Sequence, residues 1–299
     1  MKKQKIKMIF IFLLLVVFLF VHFYLPRFIT EIKNPLIVLS RGEKERESFE
    51  KSETKGKELS FRTFDGLTLS AYLVFSDIEE TKGTIILLHG IRSRKESYVY
   101  LSERLAKLGF NTVALDSRAH GQSEGTHCTF GVKEKKDIVA LIDHLNQKEN
   151  LTENIGIWGR SLGGAVALQA LAIENRLKFG VVESTFSTFT SITHDYFELI
   201  LGFRVELFSK YLAYRAQKIA DFEGAKPINS VKQITQPMLM IHGSEDERIN
   251  ISYGKLNYEN LKSTQKEFIT VDKAKHMDVW EVGGEPLFDQ IFDFITTDF

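Results

Sequence analysis

The stretch IGIWGRSLGGAVALQAL, Ile155 to Leu171, changes period in its middle. Up to Gly159 it is a short apolar run of the kind that forms a buried strand. After Ser161 it continues as small and apolar residues at helical spacing. A strand that turns sharply into a helix leaves no room for side chains beside the turn. Gly159 and Gly163, two residues before and two after Ser161, answer that need. Such a turn requires a sheet with a helix packed directly behind the strand, which restricts the chain to a few architectures.

The rest of the chain follows the same alternation. LSFRTF and LTLSAYLVF flank Asp65-Gly66, which predicts an opening hairpin. GTIILLHG, NTVALD, NIGIWG, FGVVEST, PMLMIHG and KEFITV read as strands. Between them lie helical patterns in ESYVYLSERLAKLGF, in VKEKKDIVALIDHLNQK (Ile138, Leu141, Ile142 and Leu145 on one face), after Ser161, near Tyr253 to Leu261, and in the closing EPLFDQIFDFI. Repeated strand–helix units predict an α/β fold with a mostly parallel sheet and helices on both faces. One connection is too long for this scheme. About residues 186–235, between VVEST and MLMIHG, form an insertion containing YFELILGFRVELFSKYLAYRAQ. There Phe203, Leu207, Phe208, Tyr211, Leu212 and Tyr214 recur at roughly helical spacing. The insertion reads equally as extra helices packed on the domain or as a cap over a site.

The N-terminus departs from a soluble pattern. Lys2, Lys3, Lys5 and Lys7 precede MIFIFLLLVVFLFVHFYL, Met8 to Leu25, which carries no formal charge when His22 is neutral. As a helix it spans ~27 Å, close to a bilayer core of ~30 Å. No small-residue cleavage site follows in PRFITEIK, so the run predicts an uncleaved single-pass anchor rather than a signal peptide. The lysines place the N-terminus in the cytoplasm and the remainder on the extracytoplasmic side. Residues 1–30 are thus read as a membrane anchor, 31–57 as a charge-dense linker, and 58–299 as one α/β domain. The 39 basic and 39 acidic residues cancel, which argues against a nucleic-acid partner. The single cysteine, Cys128, excludes an intrachain disulfide.

A serine on such a turn is raised above the sheet, with a helix N-terminus behind it aimed at developing negative charge. It becomes a nucleophile only beside a base that is itself oriented by an acid. His194, His242 and His276 follow Ser161 in the chain. His276, in KAKHMDVW between the last strand and the last helix, is the expected base. Asp246, in HGSEDERI beyond a strand end, is the expected acid, with Glu245 and Glu183 as alternatives. The expected oxyanion donors are the N–H groups of Leu162 and of Ile91, in the loop after TIILLHG. His89 and His120 read as structural. No metal-ligand or phosphate-loop motif stands out, and His194 with Glu198 offers only two ligands, so no cofactor or metal is expected.

LLHG, LDSRAHGQSEG, GRSLGG, HGSEDERI and KAKHMDVW resemble, in order, the landmarks of the α/β-hydrolase superfamily over about residues 58–299. They are most similar to its membrane-anchored bacterial branch of serine-aminopeptidase-like hydrolases and esterases. The resemblance implies an eight-stranded sheet with an antiparallel second strand, and a Ser–His–Asp triad. With the apolar, aromatic insertion it points to hydrolysis of carboxylic esters with apolar or lipid-like acyl groups. The alternatives are a thioesterase, an aminopeptidase using Glu198, Glu206, Asp221 or Glu223 to hold an amine, and a catalytically silent binding protein.

Overall fold

The computed structural model describes residues 2–33, 49, 52, 54–151, 154–203 and 205–297. Most of the expected linker, 31–57, lies outside the described residues. Eight strands form one sheet in the order β1-β2-β4-β3-β5-β6-β7-β8. They are β1 Gly56–Arg62, β2 Thr68–Val74, β3 Gly83–Leu88, β4 Phe110–Leu115, β5 Ile155–Arg160, β6 Leu177–Glu183, β7 Met238–Gly243 and β8 Lys266–Val271. β2 is antiparallel to both of its neighbours, and the other adjacent pairs are parallel. The register Arg160↔Glu183↔Ile241 brings the carboxyl ends of β5, β6 and β7 level, and the loops leaving them share one edge.

The central strands bury both faces, which is why they read as continuous apolar runs rather than alternating ones. Along β3, Ile86 and Leu88 enter one core and Ile85 and Leu87 the other. α4 (Glu134–His144) and α5 (Leu162–Leu171) cover the first face. α3 (Val99–Lys107) and α10 (Val279–Thr296) cover the second. Ile138, Leu141, Ile142 and Leu145 are all fully buried, as their spacing requires. The closing helix starts earlier than its apolar pattern suggests. It is broken at Gly284 (φ 55°, ψ −155°) because Pro286 cannot continue a helical hydrogen-bond ladder.

The insertion folds as a hairpin of α6 (Phe189–Leu201) and α7 (Glu206–Ile219), followed by the single turn α8 (Pro227–Ser230) and, after β7, by α9 (Ile251–Glu259). Thr188 caps α6 by accepting the Ser191 N–H at 3.0 Å. The stripe read from spacing is only partly buried: Leu212 is fully buried, and Phe208 and Tyr211 are half-buried. Ser209, Leu212, Ala213 and Ala216 form the inward seam of α7, whereas Phe203, Leu207 and Tyr214 are exposed.

At the N-terminus α1 (Lys2–Leu19) passes through one wider turn, Phe20–Tyr24, into α2 (Leu25–Thr30). Together they form an apolar helix, Lys3–Thr30, long enough to cross a bilayer. Its far end is docked on the domain. Pro26, Thr30 and Ile32 are buried, the Cys128 N–H donates to Thr30 O at 2.9 Å, and Lys33 Nζ donates to Ser123 O at 2.7 Å. Phe49 stacks on Tyr72 at 4.4 Å between centroids. The folded unit therefore recruits residues before position 58. Their few apolar side chains are diluted among charges, so no periodic pattern announces them.

Candidate active site

Ser161 sits between β5 and α5 with φ 57° and ψ −116°, a conformation that costs a non-glycine residue of order 1–3 kcal/mol. The surrounding backbone holds it there. The Ser161 N–H donates to Glu183 O at 2.8 Å, and its carbonyl accepts the Thr185 hydroxyl at 3.0 Å. The flanking glycines have a steric reason. A Cβ on Gly159 would lie 2.2 Å from Gly163 O, and one on Gly163 would lie 2.0 Å from Leu88 O. Gly90 serves differently: a Cβ there would meet Ser161 Cβ at 3.5 Å, so its absence keeps space open over the hydroxyl.

His276 reaches the serine from the loop between β8 and α10. Its Nε2 lies 3.1 Å from Ser161 Oγ, and its Nδ1 lies 2.8 Å from Asp246 Oδ2. The carboxylate opposite Nδ1 assigns the proton to that nitrogen and leaves Nε2 as the acceptor. Asp246 stands in the loop after β7, where its Oδ1 accepts the N–H groups of Arg248 (3.0 Å) and Ile249 (2.9 Å). Burial by itself would raise its pKa. Hydrogen bonds from His242, His276 and the Ile249 N–H outweigh burial and hold the carboxyl well below the usual carboxylate range. All three side chains are nearly buried.

The other acids considered are placed differently. Glu245 is exposed. Glu183 is fully buried at the end of β6 and accepts hydrogen bonds from the indoles of Trp158 and Trp280. Burial raises its pKa against the pull of Arg160 and these two donors. Leu162 is the first residue of α5, directly after Ser161, and Ile91 lines the same cavity as the serine. His89 donates from Nδ1 to Gly90 O at 2.8 Å and accepts the Ser117 N–H at Nε2, 3.2 Å away. His120 bonds Arg118 O at 2.9 Å, and burial drives its pKa down to about 3. Both nitrogens of His89 are thus engaged away from Ser161. His194 pairs with Ser209 across the hairpin.

The serine opens into a cavity of about 440 Å³. Tyr98, Leu101, Tyr196, Met277, Trp280 and Phe288 supply much of its apolar wall, and Tyr196 comes from α6 of the insertion. Arg104, Arg160 and Arg248 also line it, together with Glu285. Arg104 grips Glu285 through two bonds of 2.9 and 2.6 Å. Arg160 donates to the His276 carbonyl at 2.9 Å, so the residue before Ser161 braces the loop that carries the imidazole. Sequence reasoning missed Arg160 and Tyr196, and it weighed Glu183 as an acid without foreseeing its two indole partners. Arg160 is the variable position of the G-x-S-x-G string, and the spacing carries no signal for its role.

The sheet order, the single antiparallel strand and the serine turn after β5 coincide with a match to known proteins. Residues 79–220 match the family described as serine aminopeptidase, S33. An esterase of Pyrococcus furiosus, Pf2001, superposes with a TM-score of 0.67 at 25% identity, over 81% of this chain and 92% of that one. The chain belongs to the α/β-hydrolase superfamily. Among relatives, the α/β-hydrolase domain-containing protein WAV2 of Arabidopsis thaliana is 29% identical over 77% of this chain and 75% of its own. The uncharacterized protein YqkD of Bacillus subtilis is 25% identical over 78% of this chain and 81% of its own. These similarities identify the chain as a hydrolase.

Proposed function

We propose that this hydrolase cleaves carboxylic esters with apolar acyl groups through an acyl-enzyme on Ser161. His276 Nε2 takes the hydroxyl proton as Oγ attacks the ester carbonyl, and Asp246 fixes the imidazole and stabilises the imidazolium. The N–H groups of Leu162 and Ile91 receive the oxyanion at the start of α5. His276 then protonates the leaving alcohol, and water, activated by the same imidazole, releases the acid. The observation that carries this reading is the continuous line Asp246 Oδ2–His276–Ser161 Oγ, with 2.8 and 3.1 Å steps ending on a strained serine.

An ester suits the cavity better than a peptide with a free amine. Its wall is apolar with three arginines, and its acid, Glu285, is already paired to Arg104. Glu206, Asp221 and Glu223 pair with Lys210, Lys133 and Lys218 on the surface. A thioester would react by the same steps. We take the N-terminal helix to be a retained anchor, with the domain on the extracytoplasmic side. The burial of Pro26, Thr30 and Ile32 supports retention, since cleavage beyond the apolar run would remove part of the packed domain.

The test is a fluorophosphonate probe on the full-length protein in detergent, beside Ser161→Ala and His276→Ala. Label on Ser161 that disappears in both variants, with turnover of p-nitrophenyl esters, supports the reading. A folded wild type that neither labels nor turns over would sink it in favour of a silent binding protein.

A further inference from the structure

The α6–α7 hairpin carries apolar side chains on its outside. Leu207 is 84% exposed, Ile200 70% and Phe203 61%, and Leu199 and Leu201 beside them are also exposed. Soluble monomers rarely leave a continuous patch of this kind in water. Its position indicates what covers it. One turn along α7 from Leu207, the Tyr211 hydroxyl meets the His22 imidazole of the N-terminal helix. One turn further, Arg215 Nε donates to His22 O at 3.4 Å and its guanidinium lies 6.0 Å over the Phe23 ring.

These contacts set a depth. His22 precedes Leu25, the end of the uncharged run, by three residues, so the contact lies ~5 Å inside the run at 1.5 Å per residue. A helix spanning the bilayer with that run holds α7 at the boundary of headgroups and acyl chains. Interfacial helices bury their apolar side by ~5–10 Å there. Tyr211 and Tyr214 suit that boundary, and the exposed Lys210 and Lys218 suit the phosphate layer beside it. On the other arm, Tyr196 lines the cavity one turn before Leu199. The helix that would touch lipid is also a wall of the site.

We infer that the exposed apolar side chains at the hairpin tip, Leu199, Ile200, Leu201, Phe203 and Leu207, form a wedge inserted into the leaflet beside the anchor, and that the cavity takes an amphiphilic ester from that leaflet. This rests on the anchor and ester readings above. The occupant of the patch is the lipid bilayer, because the patch is continuous with the helix that enters it.

The test uses full-length protein in phosphatidylcholine–phosphatidylglycerol vesicles. Cys128, the single cysteine, is buried, so Leu207→Cys and, at the opposite edge of the sheet, Lys148→Cys can each carry an environment-sensitive fluorophore. The expected result is a label at 207 that is quenched by brominated acyl chains and shielded from iodide, with the reverse at 148. Equal access of iodide to both labels overturns the wedge. Shielding at 207 without quenching by brominated lipid also overturns it, and assigns the patch to a second copy of the chain. For delivery, the double variant Ile200→Asp/Leu207→Asp is expected to lose tenfold or more on a long-chain ester in vesicles while keeping its rate on a soluble butyrate ester. Equal rates on the vesicle ester overturn that role. If wild type cleaves neither ester, the ester reading fails, and the two labels still decide the wedge.

Discussion

Replacing Asp246 by Asn tests the proposed relay at its most constrained point. The two carboxylate oxygens are not equivalent: Oδ1 accepts two backbone N–H groups, at 3.0 and 2.9 Å, and Oδ2 faces His276 Nδ1 at 2.8 Å. An asparagine must keep its oxygen on the two N–H groups, which turns its NH₂ toward Nδ1. That nitrogen then has to accept, and the ring proton moves to Nε2. Nε2–H faces Ser161 Oγ at 3.1 Å as a donor and cannot remove the hydroxyl proton. A relay histidine held in the wrong tautomer loses ~10⁴ in rate, or ~5 kcal/mol of barrier. The stability cost should be only ~1–2 kcal/mol, since the two backbone bonds and the bond to His276 are kept, while charge assistance and the weak 3.4 Å contact of His242 with Oδ2 are lost. The assay is kcat/KM on a soluble p-nitrophenyl ester and the rate of fluorophosphonate labelling, with a urea melt as the control for folding. A folded Asp246→Asn protein that keeps more than a tenth of wild-type activity would refute the assignment of Asp246.

Three further outcomes follow from the same structure. Glu245→Ala should leave activity within about twofold, because the side chain is exposed and does not meet His276; a loss comparable to that of Asp246→Asn would shift the acid to Glu245. Gly163→Ala should cost ~3 kcal/mol or more in denaturant melts because its Cβ would lie 2.0 Å from the Leu88 carbonyl oxygen, whereas Gly202→Ala, with nothing within 4 Å, should cost only ~1 kcal/mol for its φ of +77°. His120 is held neutral, with its pKa depressed from 6.5 to about 3, so between these values the unfolded chain binds the extra proton and stability falls with pH. The loss from this residue should be about 2 kcal/mol between pH 7 and pH 5, and His120→Gln should flatten the slope of urea stability over that interval by about that amount.

Much of the site was legible because its chemistry depends on local backbone. Gly159 and Gly163 are dictated by contacts within a strand–turn–helix unit, so a five-residue string reports them. Asp246 and His276 each follow a strand at the carboxyl edge of the sheet, and chain order alone reduced the possible bases to three histidines. Arg160 was not legible, since its partner is a carbonyl 116 residues away. The apolar stripe of the insertion was legible only in part, for a related reason. Helical spacing shows that side chains share a face, but not whether that face meets protein or something else. Here Leu212 with Ala213 and Ala216 took the buried side, and Leu207 and Tyr214 did not.

By itself the sequence determined the α/β alternation, the serine turn and the apolar N-terminal helix, because hydrophobic period, glycine sterics and uninterrupted apolar length act over a few to some twenty residues. Only the tertiary structure decided that Oδ1 of Asp246 is locked by Arg248 and Ile249, that Glu183 is held by two indoles, and that His22 docks on Tyr211 beside an exposed apolar tip. Each of these joins groups by hydrogen bonds whose partners are chosen by how the elements pack. No local pattern of residues encodes that choice.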